Sequence, residues 1–384
     1  MNATQLSGLL NNIRNKRIAV VGDFFLDKIL DIDRSLDESS LETGLTAYQV
    51  VRRRPSPGAA GTVTNNLAAL GVGEILAIGA TGDDGEGYDL RKGLRATGVD
   101  TDLLIRSDLI FTPTYTKPMF DGAVETNRLD IRNRGVFPAE IEAKIIASIR
   151  NIADEADAII ALDQVVERNT GVVTDAVRKA LAAIGREKPG LIIFADSRAN
   201  IRLFDNIIVK CNHSEVSGGL SAGEIASAAG GEGRDAANIE LKTGDRAPET
   251  ESVSTLKKRA LDMSARTGRD VYVTWGERGI IAAGCGGDDY RAKAHYVDVG
   301  GADSAILVPA TRADGPTDIC GAGDAATAGI VCALCCGASR AVAAMTGNLA
   351  AGVTVQKIGV TGTASICEII ELFEKFRHQY NGVQ

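Results

Sequence analysis

Short apolar runs recur along the chain, each closed by a small or polar turn. Arg17-Ile18-Ala19-Val20-Val21-Gly22-Asp23 reads as a buried strand ending at a glycine, and Ile75-Leu76-Ala77-Ile78-Gly79 runs into Gly82-Asp83-Asp84-x-x-Gly87 in the same way. Further runs stand at 158–162, 191–195, 207–209 and 271–274, and between them apolar residues fall at helical spacing, as over 141–152 and 174–184. Strands that are apolar throughout are those covered on both faces. Their alternation with amphipathic helices predicts an α/β domain with a mostly parallel sheet between two helical layers. In such sheets ligands bind at the carboxyl ends of the strands.

Two stretches break the alternation. Residues 27–57 and 111–134 carry short β patterns of mixed polarity, such as Leu45-Thr46-Ala47-Tyr48-Gln49-Val50-Val51 and Thr114-Tyr115-Thr116-Lys117, and predict a small sheet standing off the main one. Residues 216–251 are rich in Gly, Ala and Glu and read as a peripheral insertion with some helix. No internal repeat or low-complexity linker interrupts the chain, so residues 1–384 are expected to form one main domain with a small accessory sheet.

Composition narrows the partners. Hydrophobic residues make up 45% and charged residues 24%, the balance of a chain with a full core, and 43 glycines against 9 prolines cluster in short turns. A net charge of −8 argues against nucleic acid or an anionic membrane as partner, so an anionic ligand must be held by local groups. Seven cysteines, three of them within five residues (Cys332, Cys335, Cys336), suit a reduced protein and core packing better than a disulfide framework or a metal site. Leu6, Leu9, Leu10 and Ile13 give the first 16 residues helical spacing without the unbroken apolar stretch of a signal peptide, and no run nears the ~18 apolar residues of a membrane span. A cytoplasmic protein is expected.

The chemistry concentrates near the C-terminus, in Asp318-Ile319-Cys320-Gly321-Ala322-Gly323-Asp324 followed by the apolar Ala325-Ala326-Thr327-Ala328-Gly329-Ile330-Val331. A small-residue turn that opens directly into a helix presents backbone N–H groups to an anion, such as the charge that builds up on a transferring phosphoryl group. Asp324 in the first turn can take a proton from an attacking hydroxyl. A lone Gly-x-Gly-Asp is more often the mark of an ordinary capped turn. Four further turns accompany it: Gly22-Asp23-x-x-x-Asp27 after the first strand, Gly58-Ala59-Ala60-Gly61 before a helix, Asn212-x-x-Glu215, and Thr274-x-Gly276-x-x-Gly279.

In order and spacing, from about residue 17 to 365, these turns resemble the ribokinase/PfkB carbohydrate kinases. The resemblance implies a three-layer ribokinase-like domain with a β-sheet lid, using ATP and Mg²⁺, with a monovalent cation as a further candidate. It places Asp324 as the catalytic base and the backbone of Gly321, Ala322 and Gly323 as an anion hole. Asn212 and Glu215 would place Mg²⁺ and the nucleotide phosphates, Glu215 indirectly. Thr274, Gly276 and Gly279 would lie along the nucleotide, with Asn348 beside the adenine. Asp27 would hold sugar hydroxyls, with Gly58 and Ala59 in the same subsite.

The substrate half departs from the family pattern. Ala59 stands where a second glycine is usual, and Thr62 where an asparagine contacts the sugar; Asn65, or Asn66, a turn later, is the candidate replacement. Cys320 replaces a threonine. Within the family, Gly22-Asp23-Phe24-Phe25-Leu26-Asp27-Lys28, Thr112-Pro113-Thr114-Tyr115-Thr116-Lys117 and Asn127-Arg128-Leu129-Asp130 are similar to the heptose 7-phosphate kinase branch. That similarity makes Lys117 and Arg128 candidates to pair a substrate phosphate, with solvated lid charges as the competing reading. No nucleotidyltransferase module follows, so a single activity is expected. The implied acceptor is a sugar or sugar phosphate. A nucleoside kinase of the same family and a catalytically silent sugar- or nucleotide-binding regulator are the alternatives, and exposed lid edges suggest a homodimer.

Overall fold

The computed structural model describes residues 1–122, 124–217, 252–284, 304–313, 315–359, 361–380 and 383. The expected insertion at 216–251 lies, beyond Ser217, outside the described residues. In chain order the first half runs α1 (Ala3–Leu10), β1 (Arg17–Gly22), β2 (Phe24–Ile32), β3 (Glu38–Ser39), β4 (Thr46–Ala47), β5 (Val50–Ala59), α2 (Ala60–Ala69), β6 (Glu74–Gly82), α3 (Gly85–Ala96), β7 (Leu104–Ser107), β8 (Thr114–Phe120), β9 (Val124–Glu125) and β10 (Leu129–Ile131). The second continues with α4 (Ala139–Ile152), β11 (Ala158–Asp163), α5 (Asp175–Glu187), β12 (Ile192–Ser197), β13 (Ile208–Asn212) and α6 (His213–Val216). It closes with α7 (Val253–Thr267), β14 (Val271–Thr274), β15 (Ile280–Gly284), β16 (Ser304–Val308), α8 (Ala322–Cys335), α9 (Arg340–Thr354) and α10 (Ile366–Phe376).

Among the described residues, nine strands form the main sheet in the order β16-β15-β14-β13-β12-β11-β1-β6-β7. Pairing is parallel from β7 to β14, and β15 and β16 add an antiparallel edge. Successive side chains of a strand point to opposite faces, so β1 sends Ile18 and Val20 into one core and Ala19 and Val21 into the other. The first core is closed by α1, α2, α8, α9 and α10 through Leu10, Leu67, Ile330, Met345 and Phe373, and the second by α4, α5 and α7 through Ile145, Leu181 and Leu256. The continuous apolar runs of the central strands are the consequence. Cys332 packs inside α8 in the first core.

The stand-off sheet is present, with strand order β10-β8-β2-β5 and β9 paired to β8. It begins three residues before the expected 27, because only Asp23 separates β2 from β1. β2 pairs parallel to β8 and antiparallel to β5, opposing Leu26 to Thr114 and Phe24 to Ala59. Asp84 ties this sheet to the main one. Its carboxylate accepts from Thr112 N (2.8 Å), Thr112 Oγ1 (2.7 Å) and Gly87 N (2.7 Å), while Gly82 N donates to Thr112 Oγ1 (2.9 Å). A β-carbon on Gly82 would stand 2.2 Å from Asp84, which is why that position carries none. No helix among the described residues is long and apolar enough to cross a membrane.

Candidate active site

The carboxyl ends of β1, β11 and β12, the first turn of α8 and the inner face of the small sheet meet around a cavity of about 150 Å³. Its wall includes Phe25, Asp27, Ala59, Thr62, Tyr115, Gln164, Arg198 and Asp324. Asp27 projects from β2, and its carboxylate lies over Gly58, where a β-carbon would come within 2.3 Å of Oδ2. Burial raises the Asp27 pKa, opposed by the positive charges of Lys117 and Arg128. Both of those cations already have partners: Lys117 lies 3.5 Å from Glu125, and Arg128 binds Asp130 at 2.7 Å and stacks over the Tyr115 ring.

Gly321, at φ +78°, turns the chain into α8, and a β-carbon there would press on Thr361 at 2.9 Å. The turn hands its N–H groups out unequally. Ala322 N donates to the Ile319 carbonyl (3.2 Å), so it is not an open donor, whereas the N–H groups of Gly321, Gly323 and Asp324 have no protein acceptor among the described residues. Tightening of the chain just before the helix thus occupies the Ala322 N–H, one of the three donors expected of an anion hole, and leaves Asp324 N open. The Asp324 carboxyl is raised to about 7, by burial first and then by the nearby Asp196 and Asp27 charges, with Lys210 opposing.

Lys210 and Asp196 were not singled out from the sequence. The Lys210 ammonium, 5% exposed, pairs with Asp196 at 2.7 Å and lies 3.7 Å from where a β-carbon of Gly323 would stand. Burial pulls its pKa down, but the charges of Asp196, Glu215 and Asp324 outweigh that and leave it raised. Thr327 Oγ1 donates to the same Asp196 oxygen at 2.8 Å, fixing the pair against α8. The one available signal was a lysine closing an otherwise apolar strand.

The expected nucleotide residues gather one strand further along. Asn212 and Glu215 form a reciprocal capping box, with Glu215 N donating to Asn212 Oδ1 (2.9 Å) and Asn212 N to Glu215 Oε2 (2.7 Å). Thr274 stands beside Asn212 in register and donates to the Cys211 carbonyl. Gly276 and Gly279 take φ +52° and +111°, and Gly279 sits against the Val308 carbonyl, to which Asn348 Nδ2 donates at 2.9 Å. The structure thus gathers these residues around the carboxyl ends of β13 and β14 and the turn into β15.

No family model matches the chain. In sequence it is 27% identical over 373 residues to bifunctional protein HldE of Hyphomonas neptunium, covering 96% of this chain and 65% of that protein. It is 24% identical to bifunctional protein HldE of Syntrophotalea carbinolica, covering 99% of this chain and 68% of that one. The chain thus spans about two thirds of the length of these curated relatives. In structure it matches Arabidopsis thaliana ribokinase complexed with ribose and ATP (TM-score 0.60, 16% identity, 94% of this chain and 99% of that one). It likewise matches Escherichia coli phosphofructokinase-2 in complex with substrates and products (TM-score 0.63, 14% identity, the same coverage). The fold is ribokinase-like.

The likeness to these two solved structures extends over 94% of the chain. Thr62, not Asn65, reaches the cavity. Asn65 lies on the α3 side of α2 and accepts from Thr97, while Asn66 is buried and donates to the Thr62 carbonyl. Three residues further along a helix is about 60° short of a full turn, enough to carry Asn65 out of the site. Gln164 and Arg198 enter the wall unanticipated, from loops after β11 and β12. A larger cavity of about 450 Å³, lined by Lys16, Lys188 and Arg269, lies at the opposite, amino-terminal ends of the strands, far from Asp324.

Proposed function

We propose that this protein is an ATP-dependent carbohydrate kinase that phosphorylates a hydroxyl of a sugar or sugar phosphate, with residues 1–384 acting as one kinase unit. What supports the reading most is the meeting of Asp27, Asp324 and the open N–H groups of the α8 turn in one cavity, with the buried Lys210 beside them. Asp27 would hold the acceptor by a hydrogen bond from one of its hydroxyls. Asp324, with a pKa of about 7, suits proton removal from the attacking hydroxyl near neutral pH. As the new O–P bond forms and the bond to ADP breaks, Lys210 and the N–H groups of Gly321, Gly323 and Asp324 would face the charge on the phosphoryl oxygens.

No group of three His, Cys, Asp or Glu side chains suited to a metal occurs among the described residues. Mg²⁺ is usually bound largely through nucleotide phosphates and waters, and Glu215, whose two oxygens accept from Asn212, would act on it indirectly. When bound, Mg²⁺ would neutralise phosphate charge. Lid closure through the small sheet would exclude water from the phosphate.

Heptose 7-phosphate is the acceptor we favour within this class, because Lys117, Arg128 and Arg198 lie at or around the cavity and match an anionic end. A nucleoside is the second reading, favoured by the edge-to-face pair of Phe25 and Tyr115, 5.3 Å apart, in the wall. The exposed lid residues Val51, Leu129 and Val124 suit pairing with a second copy. Free thiols at all six described cysteines suit a cytoplasmic setting. An ATP-consumption screen across hexoses, heptose 7-phosphate, ketoses and nucleosides tests the activity. Turnover with one class, lost in Asp324→Asn while nucleotide binding persists, is expected; wild-type protein silent on every acceptor would point to the regulator instead.

A further inference from the structure

Asp23 is a buried carboxylate to which the kinase chemistry assigns no part. It is 4% exposed and follows β1 directly. Its Oδ2 accepts from Gln164 N (3.0 Å) and Val165 N (3.2 Å), and its Oδ1 from Val172 N (2.8 Å). One side chain therefore closes both ends of the loop that follows β11. A β-carbon on Gly171 would come within 2.7 Å of Oδ1, so the loop has been shaped to fit around this carboxylate.

The Asp23 backbone completes the junction: its N–H donates to the Leu162 carbonyl (3.2 Å), and its own carbonyl accepts from Ala60 N (3.1 Å) at the start of α2. Leaving a buried carboxylate among three inward-pointing amides is worth its desolvation only where those amides must be held, and N–H donors to an ionised acceptor are among the stronger hydrogen bonds. Its immediate charged neighbour is Asp163, itself bound by Arg178 (2.9 Å) and Ser197 (2.8 Å).

What the clamped loop presents to the cavity is Gln164. The Gln164 backbone is fixed by Asp23, while its carboxamide makes no hydrogen bond within the protein among the described residues. A carboxamide both donates and accepts, so it can read a hydroxyl in both directions, whereas a carboxylate such as Asp27 across the cavity, when ionised, can only accept. Resting on the kinase reading above, we propose that Gln164 is an acceptor-specificity residue, reading a second hydroxyl of the polyol, and that Asp23 is the positioning residue that aims it.

The test is steady-state kinetics of wild type, Gln164→Ala, Asp23→Asn and the double variant, with the best acceptor found in the screen. Asp23→Asn keeps the size of the side chain and one carbonyl acceptor, which protects folding. Each single variant should raise the acceptor KM about tenfold, leave kcat within about twofold and leave the KM for ATP unchanged, and the double variant should be no worse than either single one. Amide hydrogen exchange at Gln164, Val165 and Val172 should quicken in Asp23→Asn and not in Gln164→Ala. An unchanged acceptor KM in Gln164→Ala would overturn the proposal, as would multiplicative effects in the double variant. So would a fall in kcat with a parallel rise in the KM for ATP in Asp23→Asn. Wild-type protein without turnover would instead overturn the kinase reading on which the proposal stands.

Discussion

Asp324→Asn should separate what this carboxylate does for chemistry from what it does to the fold. The substitution keeps the shape of the side chain and removes its charge. In the folded protein the carboxyl titrates at about 7 against an ordinary 3.8, driven by burial and by Asp196 and Asp27, with Lys210 opposing. A group that holds its proton more tightly folded than unfolded contributes its full stability below the unfolded pKa. That contribution is lost as pH rises and is gone above the folded value. At ~1.4 kcal/mol per pH unit the gap would amount to about 4 kcal/mol, and solvent reaching the half-buried carboxylate through the cavity reduces it to about 1–2 kcal/mol. Asn bears no such cost. The variant should therefore be about 1–2 kcal/mol more stable than wild type near pH 8 and about equal to it near pH 4, while turnover falls about 10²–10⁴-fold. Urea unfolding followed by the fluorescence of Trp275, the only tryptophan in the sequence and 2% exposed, reads the first quantity. A coupled ATP assay reads the second. A stability difference that ignores pH, or turnover within about tenfold of wild type, would refute the assignment of Asp324 as a desolvated base.

Three other outcomes follow from the same geometry. Lys210→Met removes the cation that restrains Asp324, so the acid limb of the kcat/KM profile should move above about 7, and the unpaired Asp196 should cost about 3–5 kcal/mol of stability; a limb displaced to lower pH would contradict the electrostatics. Ala59 adopts φ +53°, ψ −116°, a conformation suited to glycine, so Ala59→Gly should relieve about 1–3 kcal/mol of strain, less about 0.5–1 kcal/mol of glycine entropy, and raise the urea midpoint. A lowered midpoint would show that the β-carbon packs favourably. The double substitution of Lys117 and Arg128 by Ala should raise the KM for a sugar phosphate by about tenfold and that for the unphosphorylated sugar by less than about twofold. Equal effects on both would leave these cations as lid structure only.

Hydrophobic pattern alone located most of the frame. The strands of the sheet centre were legible because burial on both faces makes them apolar from end to end, as in Ile18 to Val21, and their bounds shifted by a few residues at most. The turns of the site were legible too, since close packing against the backbone and left-handed turns demand small residues wherever they occur: Gly58 under Asp27, and Gly321 against Thr361 at the entry to α8. Partnership was not legible. Periodicity records that a residue is buried and is silent on what it is buried against, so the antiparallel edge formed by β15 and β16, the parallel pairing of β2 with β8 and the Asp196–Lys210 pair emerged only when distant segments were brought together. The same holds for Gln164 and Arg198, polar residues on loops with no local signal, and for the exchange of Asn65 for Thr62, which a helical rotation decides. Residue type and spacing along the chain marked Asp324 as the candidate base; how its proton affinity is tuned, and which side chains share its cavity, depended on contacts across the fold.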